Sequence, residues 1–287
     1  MWLVLSNPTS GGGAGQRHRE LTLDLLHERS IPFRDITSSS YTTAQEELRR
    51  SLNDQITGVI VVGGDGMVHL AVQELASSKI PLALVPAGTG NDFARTLGLN
   101  LEKPLENLKV ALLRSPEAVD LGVVNDRFFA EILSTGFDSI VNERANSFKR
   151  IKGRMKYNIA ILLVLSTFKP KTYRFRIDGI TFESKAMLIA VSNGQSYGGG
   201  MRITPDASID DAQFDVMILG PVSRFEFLRV FPKVFTGKHV SHPAVKILKG
   251  KEVEIDSDAI AYADGERIGD LPIRARVAPQ SLLTWRM

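Results

Sequence analysis

The chain has 287 residues, 43% of them hydrophobic, enough to bury a sizeable core and to form two domains of ordinary size. Its 35 Lys and Arg against 32 Asp and Glu leave a formal charge of +3, too small a surplus to point to nucleic acid. There is no cysteine, which excludes disulfides, thiolate nucleophiles and Cys-ligated zinc.

The N-terminus turns at Asn7-Pro8 after a short apolar run and has neither the basic start nor the length of a secretory leader, so a cytoplasmic protein is expected. The longest nearly unbroken apolar stretch, 159–165, falls far short of the roughly 20 residues a membrane-spanning helix needs. Any membrane contact is expected to be peripheral, at the inner face.

Through the first third, apolar runs at 2–5, 59–62 and 82–85 alternate with helical patterns at 20–26, 43–52 and 68–75, which reads as α/β. Each run ends in a polar or glycine cluster, at 6–15, 63–66 and 86–92. Ligands of open α/β sheets collect outside the carboxyl ends of the strands, so the three clusters are expected to form one site. After a helical stretch at 104–114 the texture becomes β-rich, with strands expected at 118–124, 127–133, 172–177, 185–192, 214–219, 245–248 and 253–256. The expected division is 1–117 and 118–275, with 276–287, the 281–285 run above all, a candidate to return to the first domain.

The opening cluster carries Asn7, Ser10, Gly11, Gly12, Gly13 and Gly15 between a strand and a helix, where backbone N–H groups can converge on an anion. It is no Walker A loop, since no Gly-Lys-Ser/Thr follows, and the third glycine of a dinucleotide fingerprint is replaced by Gln16. A flexible connection is the competing reading. The second cluster, Gly63-Gly64-Asp65-Gly66-Met67, allows a phosphate to approach the main chain and supplies one carboxylate for Mg²⁺ or a hydroxyl; a plain β-turn competes. In the third, Asn91 or Asp92 can cap a helix, while Gly88-Thr89-Gly90 reads as a backbone wall with one hydroxyl.

Taken in order, Asn7-Pro8 with its glycines, Gly63-Gly64-Asp65-Gly66 and the 86–95 segment resemble the diacylglycerol kinase catalytic family, which includes bacterial lipid kinases and is related to sphingosine and ceramide kinases and more distantly to NAD kinases and phosphofructokinases. Gly136-Phe137-Asp138, the 198–205 segment, Asp210-Asp211, Asp215 and Asp264-Gly265-Glu266 extend the resemblance over nearly the whole chain. It implies a three-layer α/β nucleotide domain and a mostly antiparallel β-sandwich, closing around ATP across a cleft.

By this resemblance ATP and Mg²⁺ are the cofactors, and Asp65 places the ATP-bound ion. Gly63, Gly64, Gly66, Met67, His69, Gly88, Thr89 and Asn91 border the phosphates with Asn7, Ser10 and Gly11, and Thr37 or Ser38 lies near the nucleotide. Asp264 is the implied base toward a lipid hydroxyl, supported by Glu266, and Asp138 lies near the lipid headgroup. Ser208, Asp211 and Gln213 belong to a segment implied to hold a structural Mg²⁺. Departures are present: Met67 replaces a usual threonine, His69 and Leu70 replace a usual Asn-Glu, and Ala212 stands where glycine is usual.

The expected reaction is transfer of the ATP γ-phosphate to a membrane lipid, diacylglycerol first and a sphingoid or other glycerolipid second. An NAD-kinase-like enzyme and a catalytically weak nucleotide-binding regulator are the alternatives, and a homodimer is left open. The basic stretch 144–156 beside the apolar 159–165 could dock on anionic headgroups, or be a solvated helix leading into a core helix. Leu228, Phe231 and Phe235 could line an acyl tunnel or a core. His239 and His242 lack a third ligand at meaningful spacing. Without the resemblance, Asp264-Gly265 reads as a hairpin turn.

Overall fold

The computed structural model describes residues 1–38, 40–148 and 154–287, apart from the side chains of Arg154 and Asn158. The elements run β1 (Trp2–Ser6), α1 (Ala14–Glu28), β2 (Phe33–Asp35), α2 (Tyr41–Ser51), β3 (Gly58–Gly63), α3 (Asp65–Leu75), β4 (Leu82–Pro86), α4 (Asp92–Thr96), α5 (Pro104–Ala111) and β5 (Glu117–Val124). There follow β6 (Arg127–Phe129), β7 (Ile132–Gly136), α6 (Phe137–Asn146), α7 (Arg154–Thr167), β8 (Lys171–Ile177), β9 (Ile180–Ala186), β10 (Leu188–Ser192) and β11 (Phe214–Leu219). Last come α8 (Arg224–Val230), β12 (Val245–Gly250), β13 (Glu252–Asp256), β14 (Ile260–Ala263), β15 (Glu266–Asp270) and β16 (Ile273–Thr284).

Two compact units result, the first made of Met1–Leu121, Gly198–Gly200 and Ala278–Met287, the second of Gly122–Tyr197 and Met201–Val277. In the first unit the parallel order is β2-β1-β3-β4, and Thr284 at the end of β16 pairs beside Leu82 of β4. Alternation decides the layers. Trp2, Val4, Ile60, Val62, Ala83 and Val85 face one way, into a core with Leu26 of α1, Leu108 and Ala111 of α5 and Trp285. α2 and α3 pack against β1 and β3. The terminal segment is built in, with Thr284 Oγ1 donating to Leu82 O at 2.8 Å, Trp285 Nε1 to Arg114 O at 2.9 Å and Met287 N to Leu97 O at 3.0 Å.

The second unit is an antiparallel sandwich, with order β12-β11-β10-β7-β14-β15 in one sheet and β16-β13-β8-β9 in the other. Phe129, Tyr173, Phe175, Val191, Phe214, Val216, Val253 and Ile255 fill its core. Phe129 and Phe214 stack with centroids 5.7 Å apart.

Two expected strands are broken, each for a reason of hydrogen bonding. The 127–133 run divides because the amides of Ala130, Glu131 and Ile132 turn to the Asp264 carboxylate instead of a neighbouring strand. The 185–192 run divides at Met187, whose N–H goes to Leu219 O while its carbonyl accepts from Phe137 N, so β9 and β10 enter different sheets. Leu70 is fully buried on α3, which accounts for an apolar residue in place of a polar one there. Among the described residues no helix is long and apolar enough to cross a membrane.

Candidate active site

In the first unit, register brings the three clusters together. Ser6 is beside Val62, Val62 beside Val85 and Gly63 beside Pro86, so β1, β3 and β4 end at one level and their loops leave from the same edge. Those loops frame a cavity of about 380 Å³ lined by Ser6, Asn7, Thr9, Ser10, Ser38, Ser40, Tyr41, Ala44, Gly64, Asp65, Gly66, Met67, Thr89 and Gly90. Among the described residues no Lys or Arg lines it. An anion there would be met by hydroxyls and by the N-terminal N–H groups of α2 and α3.

Each loop is fixed by its own contacts. The Asn7 carboxamide accepts from Thr9 N at 3.0 Å and Thr9 Oγ1 at 2.8 Å, an Asx turn that opens the first loop. Gly11, Gly12 and Gly13 follow with φ of 56°, 69° and 102°, a left-handed run that side chains would resist. The second and third loops touch through glycine: a Cβ on Gly88 would lie 2.5 Å from Gly64 Cα. Asn91 closes the third loop on itself, accepting from Gly88 N at 2.8 Å and donating to Gly88 O at 2.9 Å.

Asp65 and Asp92 tie the loops to the helices. Asp65 Oδ1 accepts from Asp92 N at 2.7 Å and Phe93 N at 3.3 Å, so it caps α4 from another loop. The buried Asp92 carboxylate in turn accepts from Gly199 N at 2.8 Å and Gly200 N at 2.7 Å, which brings that glycine segment into the first unit. A Cβ on Gly90 would lie 2.5 Å from Asp65 Oδ2 and 3.3 Å from Asp92 Oδ2, so the third loop passes this close to both carboxylates only because Gly90 has no side chain. Asp65 alone puts a carboxylate on the lining, a hard oxygen donor of the kind that suits Mg²⁺, which binds through one or two carboxylates and phosphate.

The expected residues therefore sort into lining and framework. Asn7, Ser10, Ser38, Gly64, Asp65, Gly66, Met67 and Thr89 line the cavity, whereas Gly11, Gly63, Gly88 and Asn91 shape the loops around it. Thr37 and His69 stand off the lining: Thr37 Oγ1 meets Ser6 N at 3.2 Å and Ser6 Oγ at 2.9 Å, directly behind the cavity wall, and His69 is buried in α3. Ser40 and Tyr41 on the lining were missed, although Ser40 at the start of a helical pattern was a legible cap; its Oγ accepts from Thr43 N at 3.2 Å.

In the second unit, Asp264 and Gly265 make the two-residue turn joining β14 to β15, with φ of 49° and 86°. Asp264 accepts from Ala130 N at 2.7 Å, Glu131 N at 3.0 Å and Ile132 N at 3.2 Å. The hairpin reading and the carboxylate reading thus coincide in one residue, and Glu266 is exposed two positions on. Asp138, buried in the first turn of α6, accepts from Tyr197 Oη at 3.3 Å through Oδ2. Burial pushes its carboxyl up to about 6, against hydrogen bonds from Ser134, Ser139 and Tyr197.

The implied structural Mg²⁺ does not fit its segment. Asp211 Oδ1 accepts from Gln213 N at 3.0 Å, its Oδ2 is 3.0 Å from Lys249 Nζ, and Ser208 Oγ turns to Asp210. His239 Nε2 lies 3.0 Å from Ile203 O and His242 Nε2 3.1 Å from Glu226 Oε1, so each imidazole is engaged locally. Phe231 packs into the core formed by Phe137, Val164 and Phe227, whereas Leu228 and Phe235 are exposed. On α7, Ala160, Val164 and Leu165 are buried and Leu162 and Leu163 exposed. Lys149, Arg150 and Lys152 of the basic stretch lie outside the described residues.

Comparison with known proteins gives a consistent assignment. Residues 1–124 match the family model described as the diacylglycerol kinase catalytic domain, and 131–285 match the YegS C-terminal NAD kinase beta sandwich-like domain. The chain is 35% identical over 290 residues to a diacylglycerol kinase of Mycobacterium tuberculosis (strain ATCC 25618 / H37Rv), covering 99% of this chain and 94% of the relative. It is 27% identical over 274 residues to a diacylglycerol kinase of Bacillus subtilis (strain 168), covering 94% and 90%. A crystal structure of a diacylglycerol kinase from Bacillus anthracis str. Sterne has the same fold, with a TM-score of 0.75 at 20% identity over 100% of this chain and 96% of the other.

Proposed function

The chain belongs to the diacylglycerol kinase family and is a kinase, and on that premise we propose that it transfers the γ-phosphate of ATP to the free hydroxyl of diacylglycerol, giving phosphatidic acid and ADP. The observation that carries the reading is the convergence of three loops on one hydroxyl-rich cavity with Asp65 at its wall.

In this reading Ser10, Thr89 and the N–H groups at the start of α3 hold the triphosphate, and Asp65 would hold Mg²⁺ on it. The ion supplies positive charge to the transferring phosphoryl group. The lipid oxygen attacks Pγ, the bond from Pγ to the bridging oxygen of ADP breaks, and the hydroxyl proton passes to a carboxylate base. Asp264 is that base and Glu266 supports it. Asp138 lies near the lipid headgroup, as its place in the family pattern implies.

A lipid acceptor is supported by the surface of α8 and the turn after it. Phe225, Leu228 and Phe235 are exposed there beside exposed Arg224, Arg229, Lys233 and Lys238, while the acidic Glu226 is engaged by Ser223 N and His242. Apolar side chains among cations suit an anionic bilayer, each cation near the surface adding about 1 kcal/mol.

The test is a radiolabelled-ATP assay with Mg²⁺ against diacylglycerol, sphingosine and monoacylglycerol in mixed micelles, and against NAD in solution. Labelled phosphatidic acid is expected as the main product. Label on NAD, with none on any lipid, would replace the reading with a soluble-substrate kinase.

A further inference from the structure

β11 and β12 place Asp215 and Lys249 directly opposite each other on neighbouring antiparallel strands. Lys249 Nζ lies 3.2 Å from Asp215 Oδ2 and 3.0 Å from Asp211 Oδ2. Asp211 arrives from the loop before β11, and its other oxygen holds that loop by accepting from Gln213 N at 3.0 Å. The turn between them needs Ala212 at φ 55°, a left-handed conformation. The Asp215 side chain is only 5% exposed, so its charge needs a compensating partner.

We propose that Lys249 is a tethered cation, doing with its ammonium group what a bound divalent ion would do for this pair of carboxylates, so that the loop before β11 is held without metal. An ammonium has three N–H donors, enough for two carboxylates at once. A divalent ion entering between Asp211 and Asp215 would meet that positive charge at contact range and would have to expel it. The tether also fixes the order of events: the charge arrives with β12 and cannot be removed by a chelator.

The experiment is thermal unfolding, without nucleotide, of the intact chain and of Lys249→Met, each in excess EDTA and in millimolar Mg²⁺ or Ca²⁺. The native chain is expected to melt at the same temperature in all three. Lys249→Met keeps the aliphatic stem but leaves two carboxylates facing each other; it is expected to melt lower in EDTA and to regain several degrees with the divalent ion. Asp211→Asn added to Lys249→Met is expected to abolish that recovery, which locates it. A native chain stabilised by the divalent ion, with the gain lost in Asp211→Asn, would overturn the proposal, and this arm stands even if Lys249→Met does not fold. A folded Lys249→Met with no divalent-ion response would overturn it as well.

Discussion

Asp65 caps a helix that it does not belong to: its Oδ1 accepts the amides of Asp92 and Phe93 at the start of α4, 2.7 and 3.3 Å away. One carboxylate therefore serves the fold and the proposed chemistry, and the two roles separate by substitution. Asn retains an acceptor for the amides but not the charge. Asp65→Asn is expected to melt close to the parent and to lose at least about 100-fold in kcat, the scale of a removed transition-state charge contact. Asp65→Ala is expected to lose activity and, in addition, about 1 kcal/mol of stability with the cap. Denaturant melts beside initial rates distinguish them.

Gly88 and Gly64 can touch only because neither carries a side chain. A methyl on Gly88 would sit 2.5 Å from Gly64 Cα and 2.8 Å from Asn91 Oδ1, so the two loops must part. Gly88→Ala is expected to cost about 1–3 kcal/mol and to weaken nucleotide binding about tenfold or more, read by chemical denaturation and titration calorimetry. Gly66, where a Cβ meets nothing within 4 Å, is the control: Gly66→Ala is expected to fold normally.

Asp264 and Glu266 are predicted to differ in the same way. Asp264→Asn puts an amide group against three backbone donors and is expected to lower stability by about 1–3 kcal/mol as well as activity. Glu266 is exposed, so Glu266→Gln is expected to leave the melting temperature unchanged and to lower kcat alone. Full activity of Asp264→Asn would remove it from the role of base.

Asp138 should make stability depend on pH in an unusual direction. Its folded-state carboxyl is raised from 3.8 to about 6, so between those values the folded state holds the proton that the unfolded chain has released. The stabilising contribution is present below pH 3.8 and is lost as pH rises through about 6, by up to roughly 3 kcal/mol. Asp138→Asn is expected to remove this slope, gaining on the parent as pH rises from 4 to 6 and holding a constant lead above it. Urea melts across that range check it.

For membrane contact, Phe225→Ser with Leu228→Ser is expected to reduce cosedimentation with phosphatidylglycerol vesicles several-fold. The melting temperature should be kept, since both side chains are exposed and the Ser223–Glu226 capping box of α8 is untouched. Turnover of a short-chain, water-soluble diacylglycerol should be unaffected.

The three glycine clusters were legible because strand, loop and helix are local patterns, and parallel strands ending at one level do the rest. The long-range links within each unit were not. Asp92 reads locally as a helix cap, and only the fold brings Gly199 and Gly200 to it, 107 and 108 residues on. Asp264 reads as a turn residue, and its acceptance of three amides near residue 131 breaks a strand that looked continuous in sequence. Lys249 sits opposite Asp215 only by strand register, which no short-range pattern announces. Thr37 and Ser38 are neighbours of like chemistry; an alternation that sends one hydroxyl to Ser6 and the other to the cavity is visible only in three dimensions.

The first unit takes its final pieces from residues 278–287, where Thr284, Trp285 and Met287 each supply a bond to chain laid down far earlier. On the ribosome, then, the first unit cannot finish folding before the sandwich has been synthesised, even though it begins first. Until that last segment is made, the edge of β4 lacks its partner at Leu82, so a message cut short would yield a protein that fails at its beginning.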